Sequence, residues 1–309
     1  MLAPMESVIP LVEKDFNRFQ LLLVSLNKYS SEFGMMHVVV PEREVTRIRS
    51  RICRLKIQFE WRVVSEEEIV PEFKHFHWIS GWEKQQLIKL AIAEFVQSDY
   101  YLTLDADVVC TRAVTPDKLL IGGKAPCFVE FENKYPNWYD SASRVLRCPL
   151  AREGLMHNVT PAVLSRHGVI SLTNYLSSKW NRFKIPSDKR SRLHVKMWLR
   201  TFLQRDPRWV SWRLYLIANL PWTEYSLYYS YLEAKRLFNS LHVEVEVPIY
   251  DNKNSIWHIE DFERSGWDPG SSFNGDGPPF FMVLQSNTEI PIEQFSAMLQ
   301  DYIANDPIL

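Results

Sequence analysis

The run Asp99-Tyr100-Tyr101-Leu102-Thr103-Leu104-Asp105-Ala106-Asp107-Val108-Val109 constrains the fold more than any other stretch of the chain. Its aromatic and β-branched residues read as a buried strand, yet it carries two carboxylates near its end. Burying a charge costs several kcal/mol per ion unless something pairs with it. Strand side chains alternate, so Asp105 and Asp107 are expected on one face, about 6–7 Å apart if the chain stays extended and closer if it kinks. Two hard oxygen ligands at the carboxyl end of a central strand suit a divalent cation that holds a diphosphate. The plainer reading is an Asp pair capping a turn where a strand stops.

Around this run the sequence predicts alternating elements. Ser7 to Leu11 reads as a first strand. A helix follows over Phe16 to Tyr29, with Phe16, Phe19, Leu22, Leu23 and Leu26 on one face. Met36 to Val40 is a second strand closed by Pro41, and a charged helix over Glu42 to Arg51 leads to a third strand, Glu60 to Val64. An acidic turn, Glu66 to Glu68, and a helix over Trp82 to Val96 come next. This βαβαβ order implies an α/β fold with a mostly parallel sheet flanked by helices.

At this point the chain resembles the GT-A glycosyltransferases, whose Asp-x-Asp holds Mn²⁺ or Mg²⁺ against the diphosphate of a nucleotide sugar. Gly81, Trp82, Gln85, Gln86, Lys89 and Leu90 match a Gly-Trp-x-x-Gln-Gln-x-x-Lys-Leu pattern found before that strand in bacterial glycosyltransferase-like proteins. The resemblance covers roughly residues 7 to 132 well and the rest faintly. It implies a Rossmann-like GT-A sheet that binds a nucleotide-diphosphate sugar within 1–135, and a mainly helical acceptor-binding region with closing strands over 136–309. The acceptor would be a glycan or a lipid-linked sugar, with bacterial surface polysaccharide synthesis as the setting. Asp105 and Asp107 would hold Mn²⁺ or Mg²⁺, and His258 would complete the shell as a late histidine does in some GT-A families, although the longer motif around such a histidine is missing here.

Further candidates follow the same frame. Asp15 lies just past the first strand, where a carboxyl-end crevice holds nucleotides, or is simply a helix-start acid. Lys84, Gln85 and Gln86 sit near a helix N-terminus, where a cation, amides and backbone N–H groups favour anions. Glu224 opens a helix that Thr223 is expected to cap and that runs to Phe238; in an inverting enzyme it would be the general base. His157, in a polar cluster before a helix predicted over Ala162 to Leu176, is a candidate ligand or proton carrier, against a structural histidine. The aromatic stretch Asn133 to Tyr139 reads as a loop where sugars stack, and 265 to 279 as a mobile loop. Val243 to Tyr250 and Phe280 to Gln285 read as strands, and Pro291 to Ile303 as a closing helix.

Composition excludes some functions and leaves others open. With 36 basic against 37 acidic residues, a net charge of −1, 46% hydrophobic and 24% charged residues, the 309-residue chain is that of an ordinary globular protein with no general affinity for polyanions. Four widely spaced cysteines without Cys-x-x-Cys spacing indicate neither a zinc site nor a disulfide framework and suit a reducing cytoplasm. The start lacks a signal-peptide pattern, and no run of about 18 apolar residues spans a bilayer. One segment departs from the neutral whole: 179–213 holds eleven Lys or Arg against Asp188 and Asp206, interleaved with tryptophans. That suits peripheral contact with an anionic membrane at its inner face, or a pyrophosphate-linked acceptor, or a solvated helix face. No nucleic-acid motif accompanies it, so no nucleic-acid partner is expected. The rival readings are a nucleotidyltransferase on a related fold, which lacks its usual phosphate loop here, and a non-catalytic membrane-surface scaffold.

Overall fold

The computed structural model describes residues 3–152, 154–157, 159–180, 211–264 and 267–303. Its centre is a five-stranded sheet in the order β3-β2-β1-β4-β8, formed by β1 (Glu6–Pro10), β2 (Met36–Val40), β3 (Trp61–Ser65), β4 (Tyr100–Thr103) and β8 (Ala162–Ser165). The first four are parallel, and β8 runs antiparallel beside β4 with Leu102 opposite Val163. Every residue of β1 and β2 is buried, as expected of strands covered on both faces. Alternation sorts them. Val8, Val39 and Tyr101 join one core with the helices Gly81–Ala91, Arg166–Trp180 and Glu224–Ala234. Ile9, Val38, Val40 and Leu102 join a second core with Phe16, Phe19 and Leu22 of the helix Phe16–Tyr29.

A second sheet, β7-β6-β9, pairs β6 (Ala125–Glu130) antiparallel with β7 (Met156–His157) and parallel with β9 (His242–Val245). A two-stranded ribbon joins β5 (Val108–Cys110) to β10 (Phe281–Val283), so the end of the chain folds back on the residues after the Asp pair. The helix Ile292–Ile303 closes that side through Phe295 and Leu299. Both halves of the sequence therefore contribute to one sheet and one core.

Several sequence expectations need correction. The run 99–109 is not one strand: it breaks at 104–107, and Val108 donates its N–H back to the Asp105 carbonyl in a turn. A continuous ladder would have buried both carboxylates, and the break lets them leave it. Residues 162–165 are strand rather than the first turn of a helix, because the free edge of β4 takes them up. The stretch 133–139 is not all loop, since Pro136 starts the helix Pro136–Leu146, the helical position that proline tolerates best. Within 265–279, Pro269–Phe273 forms a 3-10 helix held by Ser272 on Asp251 and Asn254. The basic segment lies outside the described residues over 181–210. At its end, Trp212 and Arg213 are buried: Trp212 donates to Glu94, and Arg213 pairs with Glu72. None of the described helices is long and apolar enough to cross a membrane.

Candidate active site

The site forms where β4 ends. The Thr103 hydroxyl donates to the Ala162 carbonyl across the β8 ladder and meets the Tyr225 hydroxyl at 2.8 Å. Two residues further on, Asp105 faces Lys89 from the helix Gly81–Ala91: Nζ lies 2.8 Å from Asp105 Oδ1, an ion pair. The same ammonium lies 3.0 Å from Glu224 Oε1, donates to Thr160 Oγ1 at 2.8 Å and sits over the Tyr225 ring. Lys89 and Glu224 are each 2% exposed, whereas the Asp105 side chain is 32% exposed. A buried cation thus joins an enclosed carboxylate to an open one.

Burial lowers the Lys89 pKa, but Asp105 and then Glu224 more than offset it and hold the pKa well above that of an ordinary lysine. Burial raises the Glu224 pKa, and Lys89 opposes the rise. Asp107 is anchored from the other side of the turn. Its Oδ2 accepts from the Ser286 N–H at 2.8 Å, and its backbone carbonyl accepts from the Leu284 N–H. Arg18, which donates to the Leu284 and Ile290 carbonyls, exerts its charge on both Asp107 and Asp15. Even so, burial and then the Asp105 charge push the Asp107 pKa up to about 6. The Ser286 N–H and the Arg18 charge offset this rise only in part.

That donor set fits a hard divalent cation. Such an ion takes oxygen ligands, and Mg²⁺ in particular is commonly held by one or two carboxylates together with substrate phosphates and water. Among the described residues no group of three or more His, Cys, Asp or Glu is arranged to hold a metal ion. His258 does not join Asp105 and Asp107. It is exposed and caps the short helix Ile259–Glu263, where its N–H donates to Asp261.

Other predicted residues are placed as follows. Gln86 is buried inside the helix and uses its side chain structurally: Nε2 donates to the Trp82 carbonyl, and Oε1 accepts from the Glu224 N–H. Lys84 is committed to Glu66 at 2.6 Å. Gln85 is half-buried beside it. At the N-terminus of that helix Ser80 and Glu83 form a capping box, so Glu83 supplies an anion of the protein's own. Asp15 ends a 3-10 turn after β1, and burial raises its pKa against Lys14 and Arg18. His157 is buried far from the pair, stacked on Tyr229 and bound through Nε2 to Glu233 at 3.0 Å. Glu224 and Glu233 stand at opposite ends of the helix Glu224–Ala234, about 14 Å apart along its axis at 1.5 Å per residue. His157 is therefore a packed structural histidine.

Thr160, Tyr225, Arg18 and Ser286 escaped sequence reasoning as parts of the site, and Lys89, which the sequence places in the helix pattern and on the helix flank, is buried instead. For Lys89 a signal was present. The stretch Leu87-Ile88-Lys89-Leu90-Ala91-Ile92-Ala93 is apolar on every face of a helix, so its one lysine must be buried and must find a carboxylate.

No curated protein matches the chain. Among the solved structures similar to it are three at 12% identity. Mouse xyloside xylosyltransferase 1 in its apo form has a TM-score of 0.46 over 93% of this chain and 99% of that one. The apo glycosyltransferase GlyE of Streptococcus pneumoniae TIGR4 has a TM-score of 0.41 over 98% and 61%. The galactosyltransferase LgtC, in complex with donor and acceptor sugar analogs, has a TM-score of 0.44 over 98% of each chain. The family of unknown function DUF6492 matches residues 4–306, and the chain belongs to that family.

Proposed function

We propose that the chain is a metal-dependent glycosyltransferase that moves a sugar from a nucleotide-diphosphate donor to a glycan or lipid-linked acceptor. One observation carries the reading: Asp105 and Asp107 leave the central sheet together at a break after β4, partly open, with Asp107 raised to about 6 by burial and by its neighbour's charge. A carboxylate pair in that state supports the reading of a cation site. A divalent ion bound there neutralises the charge that develops on a leaving diphosphate.

The chain's own residues have separate tasks in this reading. Asp105 and Asp107 hold the ion, each fixed from behind, by Lys89 and by Ser286 respectively. Arg18 offsets part of the negative charge and ties this turn to the loop before the last helix. Glu224 is enclosed and faces Lys89, so no proton transfer from an acceptor is assigned to it. A panel of nucleotide sugars screened by thermal shift, with and without Mn²⁺, tests the proposal, since a ligand bound only by the folded state raises its melting point. The expected result is a shift that needs both the nucleotide sugar and Mn²⁺ and is lost in Asp107→Ala. A nucleotide-sugar shift that persists undiminished in excess chelator would contradict it.

A further inference from the structure

Lys89 is shared between two carboxylates, only one of which reaches solvent. With Asp105, Asp107 and Glu224 ionised and Lys89 protonated, the cluster carries a net charge of −2, the complement of one divalent cation. If Glu224 were neutral, Lys89 would be left to Asp105 alone, at 2.8 Å, and would draw on the negative charge that a metal needs. We infer that Glu224 is a positioning residue: by neutralising Lys89 from behind, it leaves Asp105 with its charge for a divalent cation and couples the helix Glu224–Ala234 to the metal site. The inference rests on the carboxylate-pair reading above.

The placement supports this role over others. Glu224 is held at the start of its helix by the Gln86 side chain on its backbone N–H, and its carboxylate oxygen is 3.0 Å from Nζ. Thr160 supplies the third contact to the ammonium, and Tyr225 links Thr160 to Thr103 at the end of β4. Each end of the relay is therefore anchored in the scaffold. Partners that stand behind a metal ligand typically alter metal affinity by about 10–100-fold when removed.

Mn²⁺ titration followed by the electron paramagnetic resonance signal of the free ion tests the assignment, with the melting temperature of each variant measured in parallel. Glu224→Gln keeps the shape, and it is expected to weaken Mn²⁺ binding about 10-fold with a melting temperature close to wild type. Lys89→Met/Glu224→Gln restores the net −2 of Asp105 and Asp107, and its affinity is expected to return to within about 3-fold of wild type, the remainder reflecting lost anchoring of Asp105. A general base would lower turnover without moving Mn²⁺ affinity. A merely structural Glu224 would lower the melting temperature and leave affinity alone. Wild-type affinity in Glu224→Gln, or a double variant as weak as the single one, overturns the inference while the carboxylate-pair reading stands. A wild-type protein that binds no Mn²⁺ overturns both.

Discussion

Replacing Lys89 by methionine removes the one cation shared by Asp105 and Glu224 while keeping a long side chain in the core. The ammonium lies 2.8 Å from Asp105, 3.0 Å from Glu224 and 2.8 Å from Thr160 Oγ1. Asp105 is partly open and can be hydrated once its partner is gone, so its share of the loss is small. Glu224 is 2% exposed and has no such relief. Removing one partner of a buried ion pair costs about 3–5 kcal/mol, and Lys89→Met is expected to cost that much. For 309 residues, with an unfolding entropy of about 2.1 cal/mol/K per residue, the melting temperature falls by about 5–8 °C. Urea unfolding followed by circular dichroism at pH 7.5 measures the loss directly. The deficit also has a sign in pH. Without Lys89 the main opposition to burial at Glu224 is gone, so its folded pKa rises further above the unfolded value, and the ionised group costs stability above that range. Stability relative to wild type therefore recovers as pH falls, and Glu224→Gln added to Lys89→Met recovers most of the loss at pH 7.5. A loss below about 0.5 kcal/mol, the range of ordinary surface substitutions, or a deficit that deepens on acidification, would refute the buried-relay account.

Two further outcomes follow from the same electrostatics. Asp107 titrates near 6 in the fold against about 3.9 unfolded; its ionised form therefore costs stability as pH rises through that window, and Asp107→Asn is expected to raise the metal-free melting temperature at pH 7.5 while abolishing any response to Mn²⁺. A lower metal-free melting temperature, read by differential scanning fluorimetry in chelator, would contradict that. Burial, with His157 as a second cause, holds His242 down to about 3 against about 6.5 unfolded. The unfolded chain binds the extra proton, so stability falls by at most about 4–5 kcal/mol as pH drops from about 6.5 toward 3. His242→Gln is expected to flatten that acid limb in urea titrations, and an unchanged limb would exclude His242 as its source.

The first third of the fold was legible because local and tertiary preferences agree there. The apolar stripe of Phe16–Tyr29 and the run Met36–Val40 before Pro41 each admit one reading, and both elements form over those residues. Ala162–Ser165 shows the opposite case: four small and apolar residues fit a strand or a buried helix turn equally well, and pairing with β4 decides between them. That two carboxylates follow β4 is read directly from the sequence. Their geometry is not, because alternation along an unbroken strand places both carboxylates on one face, whereas the turn at 104–107 anchors Asp105 toward Lys89 and Asp107 toward Ser286. Glu224 and His157 both read as polar residues near helix starts. Only the packed structure separates them, enclosing one behind Asp105 and stacking the other on Tyr229.

Release of nucleoside diphosphate from nucleotide sugars, followed in Mn²⁺ and again after the ion is removed with excess chelator, tests the central claim most directly. The account predicts turnover of at least one donor that stops on chelation, returns when Mn²⁺ is restored, and is absent in Asp105→Ala and Asp107→Ala proteins that remain folded. Turnover that continues in chelator, or that survives loss of both carboxylates, would contradict it.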